Sequence, residues 1–145
     1  MKAITNIVAA VDLEEHTEKV VEYAAYMADK LSAKLTLIHV VELLRAMGDM
    51  VIGTATIEEY NTNRIQHSKD ALTKLIKAYP NCSGKVITGE IVDEILGFAK
   101  EKEAELIIIG THGSKGIEKF LLGSVAERVV KNAHCPTLVM NPYKQ

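Results

Sequence analysis

Four of the nine glycines in this chain lie within residues 106–130, LIIIGTHGSKGIEKFLLGSVAERVV. An apolar run ends at Gly110, and Gly113 follows three residues later. Gly123 and Ser124 come just before a helical pattern. Glycine lets the backbone turn sharply and approach a ligand, and the free N–H groups at a helix start favour negative charge. The spacing therefore predicts a site that holds a phosphate chain.

A second explanation of the same residues needs no ligand. Ser124 and Glu127 have the spacing of a capping box, in which the serine side chain accepts a hydrogen bond from the Glu127 amide. Gly123 would then be only the turn that leads into the helix. Lys115 and Lys119 lie between the glycines, and on a loop each would add less than about 1 kcal/mol to anion binding.

A single carboxylate, Asp12, follows the first apolar run, NIVAAV. An acid after a strand often caps the next helix. Here the helical periodicity starts several residues later, and Thr17 with Glu18 fits that start better. Asp12 is then available to a ligand. Because a carboxylate repels phosphate, its expected partner is the ribose or the base of a nucleotide.

Strand-like and helix-like patterns alternate along the whole chain. The predicted strands are residues 4–11, 34–41, 85–88, 105–110 and 136–141, and the predicted helices cover about 17–31, 57–79, 92–102 and 124–133. The stretch between the second strand and the second helix, residues 42–56, is predicted to be a loop that could fold over a ligand. Residues 65–79 place Ile65, Leu72, Leu75, Ile76 and Tyr79 on one buried face.

This alternation predicts an α/β fold in which residues 1–145 form a single doubly wound domain. We expect a five-stranded parallel sheet with helices on both faces, and we assume the strand order 3-2-1-4-5. In that order the carboxyl ends of strands one and four are neighbours at the point where the winding reverses. Asp12 and Gly110 would therefore lie side by side.

Composition excludes several classes of partner. The chain has 145 residues, 48% of them hydrophobic and 25% charged, and its net charge is −2. We therefore expect no binding to nucleic acid and no membrane association. The chain shows neither a signal peptide nor an apolar run of membrane-spanning length. Cys82 and Cys135 match no metal spacing, so we expect reduced thiols in a cytoplasmic protein.

The segment GTHGSKGIEKFLLGS resembles the ATP-binding class of the universal stress protein family. It matches that family's pattern of Gly, two residues, Gly, nine residues, Gly and Ser or Thr. The resemblance extends over the chain through NIVAAVD, KLTLIHVVE, GEIVDEILGFAKEKEAELIIIGTHG and CPTLVM. It implies that ATP is the cofactor, that Mg²⁺ or Mn²⁺ binds only through its phosphates, and that no residue of the chain itself is a metal ligand.

The resemblance also implies a set of nucleotide-binding residues. The phosphates would lie on Gly113, Gly123, Ser124 and the amides of Val125 and Ala126. Asp12 and Gly110 would bind the ribose, the main chain of Val40 would bind the adenine edge, and Ala10, Val11 and Ile109 would line the pocket. Many family members carry small residues just after the acid, whereas this chain has Leu13, Glu14 and Glu15 there. We expect the two glutamates to point to solvent.

Family members pair as homodimers through the last strand, here Thr137 to Asn141. The apolar sequence TLVMN supports this pairing independently, because an unpaired sheet edge usually carries charges. A further protein partner is possible in principle, but no residue pattern identifies one.

Three other functions compete. A phosphoacceptor receiver domain is excluded, because strand three ends in Thr88-Gly89 and strand five at Asn141, where that class needs an acid and a lysine. A nucleotide-cleaving enzyme has no GxxxxGK[ST] loop here, and its only candidate base beside the phosphates is His112. No catalytic residue is therefore assigned, and ATP hydrolysis should be slow. Two alternatives to a nucleotide-dependent stress-response regulator stay open: an interaction subunit that binds no nucleotide, and a nucleotide-cleaving enzyme that uses the same pocket.

Overall fold

The computed structural model describes residues 2–45, 51–52, 55–111 and 122–143. The strands are β1 (Asn6–Ala10), β2 (Lys34–Val41), β3 (Val51–Ile52), β4 (Ala55–Thr56), β5 (Cys82–Thr88), β6 (Leu106–Gly110) and β7 (Thr137–Met140). The helices are α1 (Thr17–Leu31), α2 (Ile57–Ile76), α3 (Ile91–Glu101) and α4 (Ser124–Asn132). No helix in these described ranges is long and apolar enough to cross a membrane.

The predicted fold class and strand order are confirmed. The main sheet has the order β5-β2-β1-β6-β7, which is the order 3-2-1-4-5 when its own strands are numbered along the chain. Every neighbouring pair in it is parallel. The predicted loop is wrong in one respect, because β3 and β4 form a small antiparallel hairpin inside it. Strands of two residues are too short to produce a periodic signal in the sequence.

Helices cover both faces of the sheet because side chains along each strand alternate between them. Ile7 and Ala9 of β1 pack with α1 and α2, whereas Val8 between them packs with α3 and α4. The four apolar residues of β6 that precede Gly110 are all buried. Burial on both faces explains why this strand reads as a continuous apolar run rather than an alternating one.

Strand β5 begins at Cys82, three residues before the predicted start at Lys85. Its first residues carry no apolar β-branched pattern, yet they pair with β2 in parallel register, Cys82 with Leu35. Gly84 therefore lies inside a strand. A Cβ at this position would meet the end of the Ile76 side chain of α2, which would have to move aside.

Helix α2 begins with a capping box that the sequence prediction missed. The Thr56 hydroxyl accepts a hydrogen bond from the Glu59 N–H at 3.1 Å, and the Glu59 carboxylate accepts one from the Thr56 N–H at 3.4 Å. The placement of Tyr79 on the buried face of this helix is wrong, because the helix ends at Ile76. Tyr79 follows in a turn but still packs against the same core.

Both cysteines are free, as expected. Cys82 is buried, and its burial raises the pKa of the thiol to about 11. The half-buried Cys135 also has a raised pKa, first because of its burial and second because of the nearby Glu105 carboxylate. Since the thiolate is the reactive form, both side chains are unreactive thiols near neutral pH.

The Glu105 carboxylate joins the first residues of β1 to the start of β6. It accepts hydrogen bonds from the backbone N–H groups of Asn6 at 2.8 Å and Thr5 at 3.0 Å. These two groups, Asn6 first, hold the pKa of the Glu105 carboxyl below its ordinary value. The resulting stabilisation is complete above the unfolded pKa of about 4.3 and is lost as the pH falls through the lower folded pKa.

We expect Glu105→Gln to lower the melting temperature at neutral pH, because the amide is a weaker acceptor for the two N–H groups. The difference from the wild type should shrink as the pH falls toward about 3, since the wild-type carboxyl is then protonated as well. Thermal unfolding across that pH range measures it. Glu22→Gln, on the exposed face of α1, serves as the control. An equal difference at every pH would contradict this account.

Candidate functional site

A cavity of about 400 Å³ lies at the carboxyl ends of β1, β2 and β6, against the start of α4. Ten of the eleven predicted site residues line this carboxyl-end cavity: Ala10, Val11, Asp12, Val40, Ile109, Gly110, Gly123, Ser124, Val125 and Ala126. The eleventh, Gly113, lies outside the described residues, as do His112, Lys115 and Lys119.

The order of the sheet brings these residues together. Strand β1 lies between β2 and β6, so Ala10 pairs with Ile38 on one side and with Ile109 on the other. Beyond the end of β1, the Val11 N–H donates to the Ile38 carbonyl at 2.9 Å. The chain that follows β1 leads to α1 on one face, and the chain that follows β6 leads to α4 on the other. The cavity therefore opens at the reversal point of the fold.

A backbone hydrogen bond joins Thr111, just after β6, to Gly123, just before α4. The Gly123 N–H donates to the Thr111 carbonyl at 2.9 Å, and the Thr111 N–H donates to the Met140 carbonyl at 2.8 Å. A Cβ at Gly123 would overlap the Thr111 carbonyl oxygen. Glycine is therefore required at this position by the close approach of two backbones.

The predicted capping box at α4 is wrong. Gly123 is the N-cap residue and Ser124 is the first helical residue, so the Glu127 N–H donates to the Gly123 carbonyl at 2.9 Å. The Glu127 carboxylate binds Lys131 at 2.8 Å, which lowers the pKa of the glutamate and raises that of the lysine. Within the described residues, the N–H groups of Ser124, Val125 and Ala126 have no acceptor. They are positioned to bind an anion in the cavity.

Asp12 does not cap α1, which begins at Thr17 as predicted. Part of its carboxylate is nevertheless occupied by hydrogen bonds within the chain, which the sequence did not predict. Its Oδ1 accepts hydrogen bonds from the Glu14 N–H at 3.0 Å and from the Thr17 hydroxyl at 2.8 Å. Oδ2 has no partner within the described residues, and the side chain is exposed at the cavity. One carboxylate oxygen therefore holds the turn, and the other can accept a hydrogen bond from a ligand.

The residues after Asp12 depart from the expectation that both glutamates avoid the site. Leu13 adopts a left-handed backbone with φ of 61° and packs against the core. This conformation brings Glu14 to the edge of the cavity, whereas the Glu15 side chain is 79% exposed. The end of the cavity near Asp12 therefore carries two carboxylates, and the opposite end carries the N–H groups of α4.

His39 is a lining residue that the sequence reading did not assign. Its Nδ1 lies 2.8 Å from the Val11 carbonyl oxygen. A carbonyl only accepts, so Nδ1 must donate its proton, and in the neutral ring Nε2 is then an acceptor. The sequence feature that could have identified it is a polar residue near the carboxyl end of an otherwise apolar strand. Eight further lining residues besides His39 and Glu14 went unpredicted: His16, Thr17, Val20, Ile38, Ile91, Ile95, Thr111 and Pro142.

The residues after β7 form one wall of the cavity. Pro142 is fully buried, and its carbonyl accepts a hydrogen bond from the Lys19 ammonium at 3.1 Å. The ring of Tyr143 meets the His16 ring edge to face at a centroid distance of 4.3 Å. Both contacts fix the C-terminal residues against the first turn of α1.

Glu90, the residue before α3, links α3 to α4. Its carboxylate accepts hydrogen bonds from the Asp93 N–H at 2.7 Å and from Arg128 at 2.9 Å. These partners, in that order, hold the pKa of Glu90 below its ordinary value. The contact sets α3 beside α4, so that Ile91 and Ile95 face the cavity as an apolar surface.

Three comparisons with known proteins agree. The model of the universal stress protein family matches residues 3–141. The universal stress protein MJ0531 of Methanocaldococcus jannaschii is 34% identical, over 96% of this chain and 83% of its own length. The fold matches the universal stress protein UspA of Lactobacillus plantarum with a TM-score of 0.80 at 24% identity, over 97% of this chain and 99% of that one.

A universal stress protein from Archaeoglobus fulgidus, solved in complex with dAMP, matches with a TM-score of 0.64 at 23% identity. The match covers 95% of this chain and 98% of that one. At these identities the two solved structures bear on the fold alone. The family model covers nearly the whole chain, and this chain belongs to the universal stress protein family.

Proposed function

We propose that this protein binds ATP in the carboxyl-end cavity and acts as a nucleotide-dependent stress-response regulator. The observation that carries the proposal is the polarity of the cavity. Unpaired N–H groups of α4 lie at one end and the Asp12 carboxylate at the other, with apolar walls between them. A nucleotide carries a matching set of groups: phosphates for the N–H groups, ribose hydroxyls for the carboxylate and an apolar base for the walls. The volume of the cavity also lies in the range of small-molecule sites.

In this proposal the phosphates lie on Gly123, Ser124 and the first amides of α4, together with Gly113. The free Oδ2 of Asp12 accepts a hydrogen bond from a ribose hydroxyl. The adenine lies between the apolar residues of β2 and α3, near the main chain of Val40. The solved complex of the Archaeoglobus fulgidus protein with dAMP shows that a member of this fold binds an adenine nucleotide, which supports the proposal.

A divalent cation fits this cavity only as part of the bound nucleotide. The described residues contain no group of three or more His, Cys, Asp or Glu side chains that could hold a metal ion. The two carboxylates of the cavity, Asp12 and Glu14, lie at the end away from the proposed phosphate site. Mg²⁺ or Mn²⁺ would therefore be held by phosphate oxygens and water. The ion would neutralise phosphate charge.

We further propose that ATP hydrolysis is slow. Beside the start of α4, the described lining residues are Gly110, Thr111, Gly123, Ser124 and two apolar residues. None of these side chains is a carboxylate or an imidazole that could take a proton from water. A turnover below about 1 s⁻¹ is therefore expected. Faster phosphate release by pure protein would favour the nucleotide-cleaving enzyme instead.

Thermal unfolding with and without ATP and Mg²⁺ tests the proposed function. ATP at about 100 times its dissociation constant should stabilise the folded protein by about 2.7 kcal/mol. At roughly 2–4 °C per kcal/mol, the melting temperature should rise by about 5–10 °C. GTP serves as the comparison for base recognition. If no nucleotide shifts the transition and the purified protein releases none on denaturation, the interaction subunit without nucleotide is the better description.

We also propose a homodimer through β7, residues Thr137–Met140, which pairs with β6 on one side only. The Ile107 N–H donates to the Pro136 carbonyl and the Thr111 N–H donates to the Met140 carbonyl. In a parallel ladder, alternate residues direct their N–H and C=O groups to opposite sides, so Leu138 faces β6 and its two neighbours face outward. The outward groups of Thr137 and Val139 are thus available for antiparallel pairing with a second copy.

Val139→Pro is expected to convert a dimer into a monomer. It removes an outward N–H group and leaves the β6 ladder intact, and proline is tolerated on an edge strand. Light scattering at micromolar concentration measures the mass. Val139→Ala, which keeps the N–H group, should stay dimeric. A wild type that is already monomeric would contradict the proposal, and so would an unchanged mass of the proline variant.

A further inference from the structure

A second cavity, of about 660 Å³, lies at the opposite end of the sheet. It is lined by the first residues of three neighbouring strands, Asn6 of β1, Lys34 of β2 and Cys82 of β5, and by the last part of α3. No lining residue is shared with the carboxyl-end cavity. We call it the lysine cavity, after Lys34, Lys85 and Lys102.

These three lysines come from three different elements, β2, β5 and the residue that ends α3. Among the described residues, none of the three forms an ion pair, and no Asp or Glu lines the cavity. The Glu105 carboxylate binds the N–H groups of Thr5 and of the lining residue Asn6. In a protein of net charge −2, three lysines thus surround one concavity with no ion-pair partner among the described residues.

The buried Phe98 ring lies close to two of these ammonium groups. The Lys85 and Lys102 ammonium groups lie 5.6 and 5.5 Å from the centroid of the Phe98 ring. Phe98 itself is 5% exposed and packed in the core, so the ring is a fixed support. Cation–π attraction restrains two side chains that would otherwise sample many rotamers. The positive charges are therefore partly ordered before any ligand arrives.

Neutral hydrogen-bonding groups complete the lining. The Thr36 and Ser83 hydroxyls lie 3.2 Å apart on adjacent strands, between the lysines of β2 and β5. Lysine binds phosphate as a compact point charge with three donors, and hydroxyl groups add directional hydrogen bonds. We propose that the lysine cavity is a second ligand site, which binds a small oxyanion with two or more negative charges, of the pyrophosphate type.

The test is a titration of the protein with inorganic pyrophosphate at low ionic strength, followed by amide NMR. Wild-type shifts are expected at Ser83, Lys85, Phe98 and Lys102. Lys85→Gln/Lys102→Gln should weaken this binding by at least about tenfold, because it removes two charge-assisted contacts. Lys74→Gln/Lys100→Gln changes the net charge equally on exposed residues outside the cavity, and its affinity should stay within about twofold.

Several outcomes would overturn the proposal. Shifts confined to residues 122–126 would place pyrophosphate at α4 alone, and equal affinities of the two double variants would remove any role for the lysine cavity. Binding of an RNA oligonucleotide without any binding of pyrophosphate would make this face a nucleic-acid surface. If Lys85→Gln/Lys102→Gln does not fold, Lys34→Gln, at an exposed strand start, replaces it with the same expected direction. Failure of this test leaves the ATP titration at the other cavity unaffected.

Discussion

Gly123→Ala is expected to abolish the ATP-dependent rise in melting temperature and to destabilise the unliganded protein by about 1–3 kcal/mol. The added Cβ would overlap the Thr111 carbonyl oxygen, a backbone atom that cannot move aside as the end of a side chain can. To relieve the overlap, the Gly123 to Thr111 hydrogen bond must lengthen and the start of α4 must shift. The amides proposed to bind phosphate would then leave their positions.

Gly97→Ala provides the matched control. Gly97 lies within α3, and a Cβ there meets nothing within 4 Å. Alanine at a helix interior stabilises by about 0.5–1 kcal/mol relative to glycine, so this variant should melt slightly higher and keep the full ATP response. Differential scanning of both variants with and without ATP separates the two effects. A Gly123→Ala protein with wild-type stability and a wild-type ATP shift would show that the backbone approach is unimportant.

The fold was predictable from the sequence because the strand patterns and the helix patterns were both strong. The four buried residues of β6 and the helical spacing of Val20, Val21, Ala24 and Ala28 in α1 follow directly from burial on two faces of one sheet. The strand order could be assumed only because such alternation has few compact solutions. The β3–β4 hairpin was missed because its strands have only two residues each. The first half of β5 was missed because its pairing depends on β2, which is distant in sequence.

The candidate site was predictable where chemistry depends on backbone position and unpredictable where it depends on packing. Gly110 and Gly123 are recognisable because glycine has a distinct conformational role. His39 and Pro142 line the cavity because of where β2 and the residues after β7 happen to lie. The capping interpretation of Ser124 failed because its sequence pattern fits two registers, and the close contact of Gly123 with Thr111 selects the one in which glycine is the N-cap.

Two sites at opposite ends of one sheet would give the protein two independent ways to bind anionic ligands. At the carboxyl end, the anion would meet backbone N–H groups, whose number and direction are fixed by α4. At the other end, it would meet lysine side chains supported by Phe98. Ionic strength should weaken binding to exposed lysines more than binding to the helix start, because salt screens exposed charges most effectively.

Asp12→Asn is expected to weaken ATP binding by about 10- to 100-fold with little change in stability without ligand. The asparagine carbonyl can still accept the hydrogen bonds that Oδ1 receives from the Glu14 N–H and the Thr17 hydroxyl. The turn after β1 is therefore kept. The amide group replaces Oδ2, so the acceptor for the ribose hydroxyl and the negative charge are both lost. Isothermal titration measures the change in affinity.

Two comparisons assign this loss to the ribose. Inorganic triphosphate lacks a ribose, so Asp12→Asn should bind it at least as tightly as the wild type, because a repelling carboxylate is gone. Asp12→Ala should in addition lower stability by about 1–3 kcal/mol, since the Thr17 hydroxyl, on a residue 6% exposed, loses its acceptor. If Asp12→Asn instead weakened ATP and triphosphate equally, Asp12 would act on the shape of the whole cavity and not on the ribose.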